Sequence, residues 1–159
     1  RINDSKQLSK KKREELYALV IDNALAYDIE IISVEDVDKL NVYQASKQGM
    51  EKCLENLKRD NMFALSDAMP LNYINHEAII KGDAKSISIG AASILAKVTR
   101  DRLMEEYARV YPEYGFDKHK GYVTKMHKEA IEKYGICPIH RKSFAPVQRI
   151  LNKQMSFDL

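Results

Sequence analysis

The run KGDAKSISIGAASILAKVTRD, Lys81–Asp101, carries the decisive reading of the fold. Its acid, Asp83, follows the apolar and β-branched stretch HEAII. A long segment then places Ile87, Ala91, Ile94, Leu95 and Val98 on one helical stripe. A strand that passes through an acid into a helix is the pattern of an α/β fold. Ala91, Ala92, Ser93 and Ala96 keep this helix slim, so it can approach a sheet closely.

Just upstream, MFALSD (62–67) is a second apolar run that ends on an acid, Asp67. It is expected to form a buried strand. Two such strands would deliver Asp67 and Asp83 to one sheet edge, where hard divalent cations find carboxylate oxygens. Spacing alone also allows a plainer reading, with Asp83 as a helix cap and Asp67 as a turn residue.

Further out, Ser9 is placed to cap a helix whose stripe holds Leu16, Leu19, Val20, Ala24 and Tyr27. IEIIS (29–33) reads as a short strand. Ser33 with Asp36, and then Asn41 with Gln44, resemble capping arrangements; the second opens a helix burying Met50, Cys53, Leu54 and Leu57. On the other side, YPEYGFDKHKGY (111–122) has the Pro, Gly and aromatic content of an ordered loop. Thr124 caps a helix predicted to end near Gly135, and a last helix is predicted to begin around Pro146.

With 159 residues, 45% of them hydrophobic, and no repeat or Ser/Gly linker, one domain over 1–159 is expected. No run of about eighteen apolar residues occurs and the first residues lack the apolar core of a leader, so a cytoplasmic protein is expected. Cys53 and Cys137 lack CxxC spacing and are read as reduced thiols. Residues 111–159 hold nine Lys and Arg against five Asp and Glu, whereas the whole chain is only +3. That asymmetry fits a polyanionic partner or a solvated basic face. His76, His119, His127 and His140 form no HExxH pair, and neither GxSxG nor a Walker A sequence is present. His119 and His140, flanked by basic residues, are read as phosphate contacts or plain surface. Tyr122 is read as a stacking platform or as packing.

Five runs, INDSKQLSKKKREEL, LSDAMPL, KGDAKSISIGAASILAKVTRDRLM, HKGYVTKMHKEAIEKYG and HRKSFAPVQRI, together resemble ribonuclease HII of the bacterial type, in the family's order and spacing. The resemblance implies a ribonuclease H-like α/β fold: a mixed sheet flanked by helices, with a helical C-terminal extension over about 111–159 that covers substrate. It implies an Asp-Glu-Asp-Asp set holding Mn²⁺ or Mg²⁺, with Asp67 as its third member and Asp83 as its fourth. The first two lie in a DEAGRG strand that precedes INDSK in the family and has no counterpart in this sequence. A gap is therefore expected, across which the remaining strands cannot pair. The implied reaction is two-metal-ion hydrolysis of the phosphodiester 5′ to a ribonucleotide, in RNA/DNA hybrids or in DNA with embedded ribonucleotides. Tyr122 matches the tyrosine at the ribonucleotide–deoxyribonucleotide junction. Lys6, Lys118, Lys120 and Arg141 are the expected backbone contacts. A non-catalytic nucleic-acid-binding remnant is the alternative, and ribonuclease HIII fits the HKGY and HRKSF runs less well.

Overall fold

A computed structural model describes residues 8–72 and 75–157, with side chains described to Asn152. The chain forms two compact units. One holds the described residues up to Ile32 together with Tyr43–Thr99; the other holds Ser33–Val42 and the described residues from Arg100 onward.

In the first unit, α1 spans Lys10–Asn23 and starts where Ser9 accepts a hydrogen bond from the Lys12 amide. It stops short of Tyr27: Ala24 is extended, and Leu19 and Tyr27 are about half exposed. Leu16 alone of the expected stripe is buried, packed with Ile94 and Val98. After α1 the chain runs extended, but Ile29–Ser33 joins no ladder among the described residues. β-propensity describes a backbone that can pair; the partner must come from elsewhere. Side chains of α3 (Val42–Asn56) hold this segment instead: Asn56 donates to Asp28 and Glu30, and Lys52 pairs with Glu30 at 2.8 Å. The α3 stripe is only partly covered, and Met50 is exposed.

β1 (Ala64–Asp67) and β2 (His76–Ile79) pair in parallel, Ala64 opposite His76 and Asp67 opposite Ile79. These two strands pair directly, so the expected gap does not lie between them; Ile29–Ser33 is the predicted strand that stays unpaired among the described residues. β1 alternates rather than being wholly buried, with Ala64 and Ser66 inside and Leu65 outside. Both strands leave the sheet through left-handed residues, Ala68 (φ 55°) and Lys81 (φ 56°). The second turn leads into α4 (Gly82–Lys85), so Asp83 lies in a helical first turn and not at the strand end. α5 (Ile87–Val110) follows, burying Ile89, Ile94, Leu95 and Val98 in this unit; Ile87 points outward.

In the second unit, α2 (Val34–Leu40) begins at Ser33, whose side chain accepts from the Asp36 amide. Asp38 on α2 accepts from the amides of Lys142 and Ser143, tying that helix to the C-terminal stretch. The Pro112–Tyr114 3-10 turn and α6 (Phe116–His119) replace the expected loop with helical turns. α7 (Lys125–Tyr134) is capped by Thr124 and closed by Gly135 (φ 79°), and α8 spans Ala145–Phe157. Met104, Tyr114, Phe116, Ala130 and Cys137 form this unit's core.

Candidate functional site

The parallel register places Asp67 at the end of β1, opposite Ile79, three residues before Gly82. The Gly82 amide donates to Asp67 Oδ1 at 2.8 Å, fastening that carboxylate to the residue next to Asp83. A side chain at Gly82 would crowd this edge: a Cβ there would sit 2.5 Å from Ile89 Cδ1, which would have to shift, and 3.4 Å from the Asp67 Cα. Asp67 is exposed and Asp83 half-buried. Their carboxylates are donors of the kind Mg²⁺ and Mn²⁺ prefer. Among the described residues, however, no three His, Cys, Asp or Glu stand close enough to hold an ion. The donor chemistry fits a hard cation, and the described residues supply only part of a coordination shell.

A second cluster lies around Tyr122, in the other unit. Lys120 (φ 51°) and Gly121 (φ 80°) form a left-handed turn that leaves Tyr122 60% exposed. The Arg100 guanidinium lies over that ring, 5.3 Å from its centre. Lys118 is exposed, and Arg141 lies over Phe144 at 5.6 Å. Lys120 is already engaged, pairing with Glu105 at 2.7 Å and reaching the Asp101 carbonyl. Lys6 lies outside the described residues.

The expectation that His119 and His140 meet phosphate at the surface is overturned: both are buried, together with His127. The rings pack against Phe116, whereas of their basic neighbours Lys118 is exposed and Lys120 and Arg141 are half-buried. Backbone donors fix the tautomers. The Cys137 amide donates to His140 Nδ1 (3.0 Å), so His140 Nε2–H donates to His127 Nε2 (3.0 Å), and His127 Nδ1–H donates to the Tyr122 carbonyl (3.0 Å). The Gly121 amide donates to His119 Nδ1 (3.1 Å), and His119 Nε2–H donates to the Tyr114 carbonyl (2.7 Å). Burial, reinforced by the neighbouring His127, pushes His140 down to about 4. Burial also lowers His127 and raises the Cys137 thiol. Both cysteines are free.

The histidines and Arg100 were not singled out as a group from the sequence, although a signal for two of them existed. His127 stands at i, i+3, i+4 with Ala130 and Ile131, and His119 follows Phe116 by three, the spacing of buried helix faces.

A family model described as Ribonuclease HII matches residues 1–147. The chain belongs to the ribonuclease HII family. It is 50% identical to the ribonuclease HII of Acholeplasma laidlawii over 152 residues, 96% of this chain and 75% of that protein. It is 55% identical to the ribonuclease HII of Clostridioides difficile over 145 residues, 90% of this chain and 57% of the relative. The chain thus spans only part of the length of its family relatives. The crystal structure of the ribonuclease H2 from Pyrococcus horikoshii matches with a TM-score of 0.80 and 27% identity, covering 96% of this chain and 81% of that one. These matches agree with the α/β class and with helices flanking a parallel strand pair.

Proposed function

We propose that this chain serves a cytoplasmic endonuclease that hydrolyses the phosphodiester 5′ to a ribonucleotide, in RNA/DNA hybrids or in DNA with embedded ribonucleotides. The observation that carries the reading is the Gly82 bond to Asp67, which joins two acid-bearing turns at one edge of the strand pair. Asp67 and Asp83 are assigned as carboxylate ligands for Mn²⁺ or Mg²⁺. Such ions, when bound, supply an activated water and stabilise the leaving oxygen. Asp67 and Asp83 present anionic oxygens on a backbone fixed before substrate arrives. Tyr122 packs against the sugar junction. Lys118, Arg141 and Lys6 meet the phosphate backbone, with Lys120 a weaker contributor because Glu105 already engages it. The stretch 111–159 covers the duplex.

The test is Asp67→Asn and Asp83→Asn in the intact protein, each keeping the side-chain shape while removing a charge. Each is expected to lower cleavage by about 10²-fold or more with little change in melting temperature. Near-wild-type cleavage by both at saturating Mn²⁺ or Mg²⁺ would remove the assignment of these two carboxylates, whereas duplex binding with no cleavage by the unsubstituted intact protein would favour a binding protein without catalysis.

A further inference from the structure

The Lys120–Gly121–Tyr122 turn is costly to hold. Lys120 is a non-glycine residue with positive φ, a conformation L side chains resist, and Gly121 gains no side-chain packing. Backbone bonds run from the Tyr122 amide to the His119 carbonyl and from the Thr124 amide to the Tyr122 carbonyl, 2.9 Å each; its side-chain anchors are two buried rings that the proposed chemistry does not otherwise use. His119 Nδ1 holds the Gly121 amide, and His127 Nδ1–H holds the Tyr122 carbonyl. Those bonds hold the Lys120–Gly121 peptide, one residue ahead of the exposed ring, and the Tyr122 carbonyl just after it. The two imidazoles are themselves stacked, with centroids 4.3 Å apart and planes 14° from parallel. Behind them His140, locked by the Cys137 amide, leaves His127 Nε2 only the role of acceptor, which forces the His127 proton onto Nδ1, facing Tyr122. A chain of hydrogen bonds thus runs from the core of the unit to the peptide of Tyr122.

We propose that His119 and His127 are positioning residues for Tyr122: by fixing the Lys120–Gly121 peptide and the Tyr122 carbonyl they set where its ring meets the duplex. The inference rests on the proposed role of Tyr122 at substrate. Arg100 fixes the ring from outside, and the histidines fix the backbone from within.

Asparagine and glutamine separate the two sides of each ring, because an Asn amide falls near Nδ1 and a Gln amide near Nε2. His127→Asn keeps a donor for the Tyr122 carbonyl and gives up the bond to His140; His127→Gln does the reverse. His119→Asn keeps the acceptor for the Gly121 amide and gives up the bond to Tyr114; His119→Gln does the reverse. On a duplex with one embedded ribonucleotide, the Gln variants are expected to cleave about tenfold more slowly, the scale of one missing hydrogen bond. The Asn variants should stay within about twofold of wild type. In a Tyr122→Ala background the Gln substitutions should have no further effect, since both changes then act through one side chain. The Gly121 amide should exchange faster in His119→Gln than in His119→Asn. In the unsubstituted protein, imidazole nitrogen shifts should report the proton on Nδ1 of His127 and on Nε2 of His119. Equal losses of cleavage for Asn and Gln, losses that add fully to Tyr122→Ala, or the opposite tautomers would each overturn the proposal. If Tyr122→Ala itself cleaves normally, it is the substrate role of Tyr122 that fails. The positioning claim then stands or falls on Gly121 exchange and the tautomers alone.

Discussion

The edge that carries Asp67 and Asp83 and the turn that carries Tyr122 are built on opposite plans. At the edge, one backbone amide fastens one carboxylate oxygen, and the acids stay exposed or half-buried. Beneath the turn, three buried imidazoles have both ring nitrogens engaged, and their rings pack against Phe116, which is almost wholly buried. Groups that must meet cations or phosphate keep lone pairs in reserve, whereas groups that must hold a shape spend theirs within the fold. A fully satisfied buried polar network rigidifies its surroundings, and a half-satisfied one is destabilising.

The largest effect that would break this comparison is acid unfolding of the histidine cluster. His140 sits near 4 in the fold against an ordinary 6.5, and His127 moves the same way, so the fold favours the neutral rings. Protonating His140 would put a proton on Nδ1, where the Cys137 amide already donates, with His119, His127, Cys137 and Tyr114 close by. The stabilisation is complete above pH 6.5 and is lost as pH falls from there toward 4; for His140 it is on the order of 2–3 kcal/mol. Urea midpoints measured from pH 7.5 to 4.5 should fall more steeply for wild type than for His140→Asn, which keeps an acceptor for the Cys137 amide but cannot be charged. Parallel curves would show that the cluster is not what acid attacks.

A smaller effect should come from the basic side chains of the same unit. Lys118→Ala with Arg141→Ala should weaken duplex binding for every sequence and flatten the plot of log affinity against log salt by about 0.9 for each phosphate no longer neutralised. The smallest is expected from Lys120→Ala, because its ammonium already pairs with Glu105. A full slope change at Lys120 would show that this pair opens for substrate. No change for the double variant would return Lys118 and Arg141 to solvated surface.

What the sequence revealed divides along the same line. Local signals were legible: Ser9, Ser33 and Thr124 each cap the helix they precede, α7 ends at Gly135, and Asp67 closes β1. Each needs only a few residues of neighbouring chain. Features that depend on distant partners were not. Ile29–Ser33 has the composition of a strand but is held by Asn56 and Lys52 from α3. The apolar run before Asp83 suggests an acid at a strand end or a helix cap, but the left-handed Lys81 is the cap and Asp83 lies inside the first helical turn. The charged neighbours of His119 and His140 suggest surface, whereas the depth of the three histidines is set by packing on Phe116 and, for His127, by the helix face it shares with Ala130 and Ile131. The family resemblance supplied what local pattern could not, and the match over residues 1–147 bears it out.

The central claim is tested most directly by mapping the products of the intact protein on a DNA duplex with one ribonucleotide in one strand, with Mn²⁺ or Mg²⁺ and then with excess chelator. A single cut 5′ to the ribonucleotide is expected, leaving a 3′-hydroxyl and a 5′-phosphate and disappearing when the metal is removed. Cleavage on the 3′ side, cleavage of an all-DNA duplex, or a cut that persists in chelator would contradict the account.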